Sequence, residues 1–164
     1  MTMATRRFVL LGTLPLALGA CGFQLRQAPD FAFQTIYIAS AETSSLGNEL
    51  KRSIASADTV RVVPVTQAQV VLDVLADQRE KTVVGLNASG QVREFQLRTR
   101  FRFKLRTPGG KELIPDTELL QQRDISFNES AVLSKEAEEN LLYRDMQTDI
   151  VQQLLRRLAA VKTL

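Results

Sequence analysis

The sequence predicts an α+β fold: a two-layer sandwich in which two helices cover one face of a mixed sheet of about four strands, in the order β-α-β-β-β-α. Two patterns indicate this fold. Residues 93–107 alternate apolar and polar side chains with the period of a half-buried strand. From Ser134 onward, apolar residues recur at every fourth position, which indicates an amphipathic helix. Because two helices most economically cover one face, the other face is expected to be open to solvent or to a partner.

Before these patterns, the sequence predicts a strand, a helix and a long strand. Residues 33–40 are rich in aromatic and β-branched side chains, which favour strands. Ser44 or Ser45 can cap a helix, because a spaced apolar stripe follows them. Residues 59–65 could form only a short strand, since a proline is tolerated only at a strand edge or end. Residues 69–86 predict a long strand or a bent one, with Gly85 near its end.

The second half of the chain predicts two more strands and the last helix. The turn-forming residues 87–91 join the long strand to residues 93–107, so the two strands form a hairpin. A connection with proline and glycine at 107–116 leads to a weakly alternating strand over 117–128. The helix from Ser134 has acidic residues in its first turns and basic residues near its end, which suits the helix dipole.

Residues 1–20 predict a secretory signal peptide that is removed, leaving residues 21–164 as a single domain. The segment begins with the basic residues Arg6 and Arg7, continues with an apolar run at 8–18 and ends in small residues. This run is too short for a membrane span, which needs about 20 residues. The paired arginines leave both the general secretory route and the twin-arginine route open.

Cys21 is the only cysteine of the chain and directly follows the predicted signal. The sequence "LGAC" closely resembles the lipobox of bacterial lipoproteins. A lone cysteine in an exported protein has no internal disulfide partner, whereas acylation uses its thiol. We therefore expect lipidation of Cys21, with acyl chains such as palmitate anchoring the protein to the membrane. The residue after Cys21 is Gly22 and not an aspartate, which at this position resembles an inner-membrane retention signal. We therefore expect the lipoprotein to be exported to the outer membrane.

Composition excludes several classes of function. The chain has 21 basic and 18 acidic residues, and removal of Arg6 and Arg7 with the signal leaves 19 basic residues against 18 acidic ones. This near-neutral balance predicts no nucleic-acid partner. The chain has no histidine, and its one cysteine is assigned to the anchor, so the common hydrolases and transition-metal sites lack their bases and ligands. We expect no enzymatic activity, no metal and no cofactor.

The strand at 93–107 places a row of cations on one face. The members of this cationic row are Arg98, Arg100, Arg102, Lys104 and Arg106. Residues that share a face of a strand lie about 6.8 Å apart, so their mutual repulsion is modest and easily offset. Two explanations stay open: carboxylates on flanking strands pair with the row, or an anionic partner binds it. The carboxylates close in sequence are Asp73, Asp77, Glu80, Glu118 and Asp124.

Several short motifs resemble those of one family. The sequence "CGFQLR" at 21–26 resembles the start of the lipopolysaccharide-assembly lipoproteins of the outer membrane, the LptE family, formerly RlpB. The likeness continues through the order of elements, the turn at 87–91 and the following residues 94–97. It includes the entry to the last helix, from Lys135 to residues 143–146. The chain is therefore expected to be an LptE-type lipoprotein.

The resemblance implies a non-enzymatic lipoprotein that faces the periplasm, sits in the lumen of the outer-membrane barrel LptD, helps to assemble it and binds lipopolysaccharide. The cationic row and Lys135 become candidates for lipopolysaccharide binding, because guanidinium groups bind phosphate bidentately. The projecting turn becomes a candidate docking tip, with an idle solvent turn as the alternative. The residues of this tip are Asn87, Ala88, Ser89, Gly90 and Gln91. The alternative function is a secretin pilotin, or an accessory to general barrel assembly, without a lipid ligand.

Overall fold

The computed structural model describes residues 30–57 and 59–164. The predicted signal peptide and the predicted anchor at Cys21 lie outside the described residues. Short 3-10 helices at Val65–Gln67 and Glu129–Ala131 precede two of the longer elements. The strands and α-helices are β1 (Thr35–Ala39), α1 (Ser45–Ala55), β2 (Arg61–Val62), β3 (Val70–Leu86), β4 (Val92–Arg106), β5 (Glu112–Ser126) and α2 (Val132–Ala160).

The strands form one mixed sheet in the order β2-β1-β3-β4-β5. β1 runs parallel to β2 and β3, whereas β3, β4 and β5 form an antiparallel meander. The predicted α+β sandwich is confirmed, with a 5-stranded sheet in place of about four strands. The additional strand, β2, lies within the segment 59–65. It has only 2 residues, because Pro64 closely follows it and has no N–H to donate to a ladder.

Both helices pack on the same face of the sheet, as predicted. The Ser44 hydroxyl caps α1 by accepting a hydrogen bond from the Gly47 N–H at 2.8 Å. The odd-numbered side chains of β4 point towards the helices and the even-numbered ones point away from them. Phe101 of β4 is fully buried in one apolar cluster with Leu50 of α1 and Ile150 of α2. We call the face without helices the open face.

The β3–β4 hairpin continues the sheet beyond this main cluster. β3 has 17 residues, which corresponds to about 55 Å of strand. A smaller apolar cluster of Leu97, Ile125, Tyr143 and Met146 lies further along the sheet. We call the end with the 87–91 turn the distal end. Among the described residues, no helix combines the length and the apolar character that a membrane crossing needs.

One predicted boundary is wrong. β5 begins at Glu112 and not at residue 117, so part of the predicted connection belongs to the strand. Pro115 is tolerated in β5 because this strand is the edge of the sheet and its register with β4 shifts near the proline. Sequence alone does not show which strand is an edge, so the local pattern places Pro115 in the connection before β5.

Candidate functional site

The cationic row lies on the open face, as predicted. Its side chains from Arg100 to Arg106 keep between 32% and 44% of their surface exposed. β3 flanks the row on one side and β5 flanks it on the other. Both neighbouring strands contribute carboxylates. The row is therefore a line of half-exposed cations between two groups of acids.

Two arginines of the row form close ion pairs. Arg106 Nε donates to Asp73 Oδ2 at 2.7 Å, and the same oxygen lies 4.0 Å from Lys104 Nζ. Arg102 donates to Asp116 through both Nε and Nη2. Each hydrogen bond, together with the charge of the carboxylate, raises the pKa of its arginine above the ordinary value. Both guanidinium groups are therefore held by an acidic partner on the open face.

The distal part of the row is paired more loosely. Arg100 lies 3.9 Å from Glu80 of β3 and 3.8 Å from Glu118 of β5, distances longer than a hydrogen bond. Arg98 Nε donates to the neutral side-chain oxygen of Gln96 at 2.8 Å. These two guanidinium groups are therefore the members of the row that are best able to take an additional anionic partner.

The carboxylates near the row only partly match the sequence-based expectation. Three of the expected acids lie beside it: Asp73, Glu80 and Glu118. Asp77 instead accepts a hydrogen bond from the Ser44 hydroxyl at 2.6 Å, because a bulge just before it turns it towards the helices. Asp124 accepts from the Gln96 amide at 3.1 Å. Asp116 was missed, because it was assigned to the connection before β5.

The turn at the distal end is held by its own hydrogen bonds. The Asn87 N–H donates to the Gln91 carbonyl at 2.9 Å, and Asn87 Oδ1 accepts from the N–H groups of Ser89 and Gln91. Gly90 has a φ of 77°, a conformation that favours glycine. Ala88, Ser89, Gly90 and Gln91 are exposed. The predicted docking tip is therefore a preorganised turn at the far end of a long hairpin.

A cavity of about 270 Å³ lies at the distal end, between the β-strands and the start of α2. We call it the distal cavity. Its apolar lining consists of Phe95, Ile125, Phe127 and Val132. Its charged lining consists of Lys81, Lys135, Glu136 and Glu139. The cavity thus combines aromatic and aliphatic walls with two ammonium groups.

Both lysines of the distal cavity have acidic neighbours. Lys81 Nζ lies 2.6 Å from a carboxylate oxygen of Glu139. Lys135 Nζ donates to the Ser126 hydroxyl at 3.0 Å and to Glu138 at 2.8 Å. Lys135 therefore lies at a cavity on the helix side of the sheet, whereas the cationic row lies on the open face. The structure does not bring these two predicted lipopolysaccharide-binding groups together.

A polar network connects the stem of the hairpin to both helices. Gln147 is buried in α2, accepts from Arg79 Nη2 at 2.7 Å and donates to Glu49 at 2.5 Å. The Tyr143 hydroxyl donates to the backbone carbonyl of Glu80 at 2.8 Å. Burial is the main reason why the pKa of Tyr143 is raised. The network therefore joins the hairpin stem to α1 and α2 through hydrogen bonds.

Sequence reasoning missed both the network and the distal cavity. The network had a signal, because Gln147 interrupts the apolar row of α2 between Tyr143 and Val151 at a spacing of four residues. No sequence signal indicates the cavity, because its presence depends on the distance between the start of α2 and the sheet. Within residues 30–57 and 59–164, no three His, Cys, Asp or Glu side chains are grouped as a metal site requires.

Comparison with known sequences identifies relatives over nearly the whole chain. Residues 33–158 match the family model LptE, which is described as lipopolysaccharide-assembly. The chain is 27% identical over 165 residues to the LPS-assembly lipoprotein LptE of Pectobacterium atrosepticum, and the match covers 97% of this chain and 88% of that protein.

Solved structures show the same fold. The solution structure of lipoprotein B from Nitrosomonas europaea is 35% identical, with a TM-score of 0.74 over 85% of this chain and 91% of that one. The crystal structure of the rare lipoprotein B from Shewanella oneidensis is 23% identical, with a TM-score of 0.65 over 77% of this chain and 95% of that one. At that lower identity, the second match shows the fold alone.

Proposed function

Because this chain belongs to the LptE family of lipopolysaccharide-assembly lipoproteins, we propose that it binds and helps to assemble the LptD barrel and that it binds lipopolysaccharide. It is an accessory lipoprotein of the Gram-negative cell envelope with a role in lipopolysaccharide assembly, and it is not an enzyme. We further propose that acylated Cys21 anchors it to the outer membrane, where it faces the periplasm.

The distal cavity is the observation that most supports a lipid ligand. Lipopolysaccharide combines phosphate groups with acyl chains, so a site for it needs cations beside an apolar surface. Lys81 and Lys135 offer the cations, and Phe95 and Phe127 offer the apolar surface. The volume of about 270 Å³ suits part of one acyl chain and not a whole lipid. Lys135 is the residue of this site that the sequence predicted.

The cationic row supports binding of further phosphate groups. Ion pairs at an exposed surface contribute little to stability, so a phosphate can replace a carboxylate at modest cost. Arg98 and Arg100 are the arginines of the row without a close ion pair among the described residues. A phosphate near them would gain bidentate hydrogen bonds that their present partners do not provide.

The open face and the tip support docking inside a barrel. The lumen of an outer-membrane barrel is polar, and burying a charge there is costly unless the charge is paired. Close ion pairs already compensate Arg102 and Arg106 on the open face, so enclosing this face would require acidic groups of the barrel, or a phosphate, mainly beside Arg98 and Arg100. The rigid 87–91 turn would then reach furthest into the barrel.

Charge reversal tests lipopolysaccharide binding. Lys135→Glu alone, and Arg100→Glu combined with Arg102→Glu, should each weaken binding of purified lipopolysaccharide, and the loss should shrink at high salt. Lys111→Glu is the matched control, because Lys111 lies at the opposite end of the sheet and donates to the Leu164 carbonyl at 2.9 Å. Folded variants that bind as well as the parent would contradict the ligand assignment.

Partner capture tests the barrel assignment. Affinity purification from detergent-solubilised envelopes should recover LptD in near-stoichiometric amount, and deletion of Ala88 and Ser89 should reduce this recovery. The turn between β4 and β5, residues 107–111, offers a matched control: the Thr107 N–H donates to the Lys111 carbonyl at 2.8 Å, as the Asn87 N–H does to the Gln91 carbonyl in the distal turn. Shortening that turn by Pro108 and Gly109 should leave capture unchanged. Recovery of a secretin or of a general barrel-assembly protein would support the alternative function.

Intact mass tests the anchor. The purified protein should begin at Cys21 and carry the added mass of its acyl chains. Cys21→Ser should remove that mass and move the protein to the aqueous phase in detergent partition. A Cys21→Ser protein that is exported and still partitions with detergent would show that lipidation lies elsewhere.

A further inference from the structure

The outer edge of β5 is unpaired in the part of the chain that the structure describes. β5 is the last strand of the sheet, with β4 on its inner side. All residues from Thr117 to Ser126 pair with β4 without a bulge. Pro115 and the register shifts, features that protect an edge, lie only in the first part of the strand. A regular strand edge therefore remains beyond them.

The hydrogen bonds of β5 identify the backbone groups that face outward. Phe127, which directly follows β5, donates its N–H to the Arg93 carbonyl at 2.7 Å. Hydrogen-bonded and non-hydrogen-bonded residue pairs alternate along an antiparallel ladder. The backbone N–H and C=O groups of the odd-numbered residues of β5 therefore bond to β4, and those of the even-numbered residues point outward. Of the outward carbonyls, that of Gln122 accepts from the Arg123 guanidinium at 2.8 Å. The outward residues are Glu118, Leu120, Gln122, Asp124 and Ser126.

The outward residues include two acids, one apolar residue and no cation. Glu118 and Asp124 are exposed, and Leu120 keeps 46% of its surface exposed between them. Glu118 lies 3.8 Å from Arg100, and Asp124 accepts from a neutral amide at 3.1 Å. A carboxylate can accept several hydrogen bonds, so both acids can take a further donor from the outer side.

We propose that the outer edge of β5 accepts an added strand from another protein, an extended segment with arginine or lysine opposite Glu118 and Asp124. An apolar residue of that segment would cover Leu120. β4 is already a strand with arginines beside β5 on the inner side, where Arg100 lies opposite Leu120 and Arg102 lies opposite Glu118. A second copy of the chain is disfavoured, because the outward residues of β5 include two carboxylates and no cation, so two β5 edges offer no opposite charge to each other on the open face.

Two peptides test the edge. The first is Thr-Arg-Thr-Val-Thr-Val-Thr-Arg-Thr, a palindrome that can pair in either direction, and the second has glutamate in place of arginine. The measurement is hydrogen exchange of the full chain in detergent. The arginine peptide should slow exchange at Leu120 and Gln122, and it should half-saturate at a concentration about tenfold lower than the glutamate peptide.

Variants connect the result to this edge. Leu120→Pro removes an outward N–H and none of the bonds to β4, so it should abolish the protection at Gln122 while the circular dichroism is unchanged. Glu118→Lys combined with Asp124→Lys should reverse the preference between the peptides. Equal protection by both peptides, protection by neither, or protection at another strand would overturn the proposal. Dimerisation of the parent chain through β5 would also overturn it, in favour of a second copy.

Discussion

Gln147 connects two helices and the hairpin stem, so its replacement by methionine tests the polar network directly. Methionine has a similar length and a similar helix propensity, but it donates no hydrogen bond and accepts only weakly. In Gln147→Met, Arg79 Nη2 and Glu49 lose partners that lie at 2.7 and 2.5 Å. The helix and the core packing are expected to persist.

The size of the loss follows from the partners that remain. A hydrogen bond to a charged group contributes about 1.5–3 kcal/mol, so the bonds to Arg79 and Glu49 together contribute at most about 6 kcal/mol, and the bond that the Ser45 hydroxyl donates to Gln147 is lost as well. Arg79 is exposed and still donates to the Ser45 hydroxyl at 3.1 Å. Glu49 still accepts from Thr148 at 3.1 Å. Both charges therefore keep some compensation, and we expect Gln147→Met to lower the free energy of unfolding by about 2 kcal/mol.

Urea denaturation followed by circular dichroism measures this loss. Gln78→Met is the matched control, because Gln78 is exposed on β3, and it should change the free energy of unfolding by less than about 0.5 kcal/mol. A double-mutant cycle with Glu49→Ala should give a coupling energy of about 1 kcal/mol. If Gln147→Met is as stable as the parent, the network contributes no net stability and the reasoning is wrong.

Three further outcomes are expected. Burial raises the pKa of Tyr143 above its ordinary 10.0, so the neutral phenol stabilises the fold fully below pH 10 and this contribution is lost as pH rises through the folded-state pKa. Tyr143→Phe should therefore lose less stability than the parent does above pH 10, and an equal alkaline loss would refute this. Gly110→Ala should cost about 1 kcal/mol in urea denaturation because its φ is 92°, whereas Gly109→Ala should not. Glu118→Lys should dimerise in analytical ultracentrifugation, since antiparallel pairing of two edges can then set lysine opposite Asp124. A strictly monomeric variant would argue against an open edge.

The elements that the sequence predicted well are those with a strong local period. Residues 93–107 alternate so regularly that both the strand and its buried face were predicted, and Phe101 and Phe103 are fully buried. β2 could not be predicted with the same security, because its residues are a strand only through their pairing with β1. The start of β5 depends on Pro115 lying at an edge, a property of the whole sheet and not of the local sequence.

The candidate site was predictable in its charges but not in its geometry. The sequence placed the cationic row on the open face, and the row lies there. The bulge in β3 between Val74 and Ala76 turns Asp77 to the other face, and no residue pattern marks that bulge. The separation of Lys135 from the row follows from the packing of α2, which joins residues distant in sequence.

The contact between the two helices has a consequence for the order of folding. The meander β3–β5 joins strands that follow one another in the chain, whereas Ser45 of α1 meets Gln147 of α2 across 102 residues. Closing a long loop costs more entropy than closing a short one, so the meander is expected to form first. Its apolar face is then covered only by α1 until α2 adds side chains such as Ile150, Leu154 and Leu158. A chain that emerges from its amino-terminal end therefore completes its core only once α2 has emerged, and until then it needs protection from aggregation.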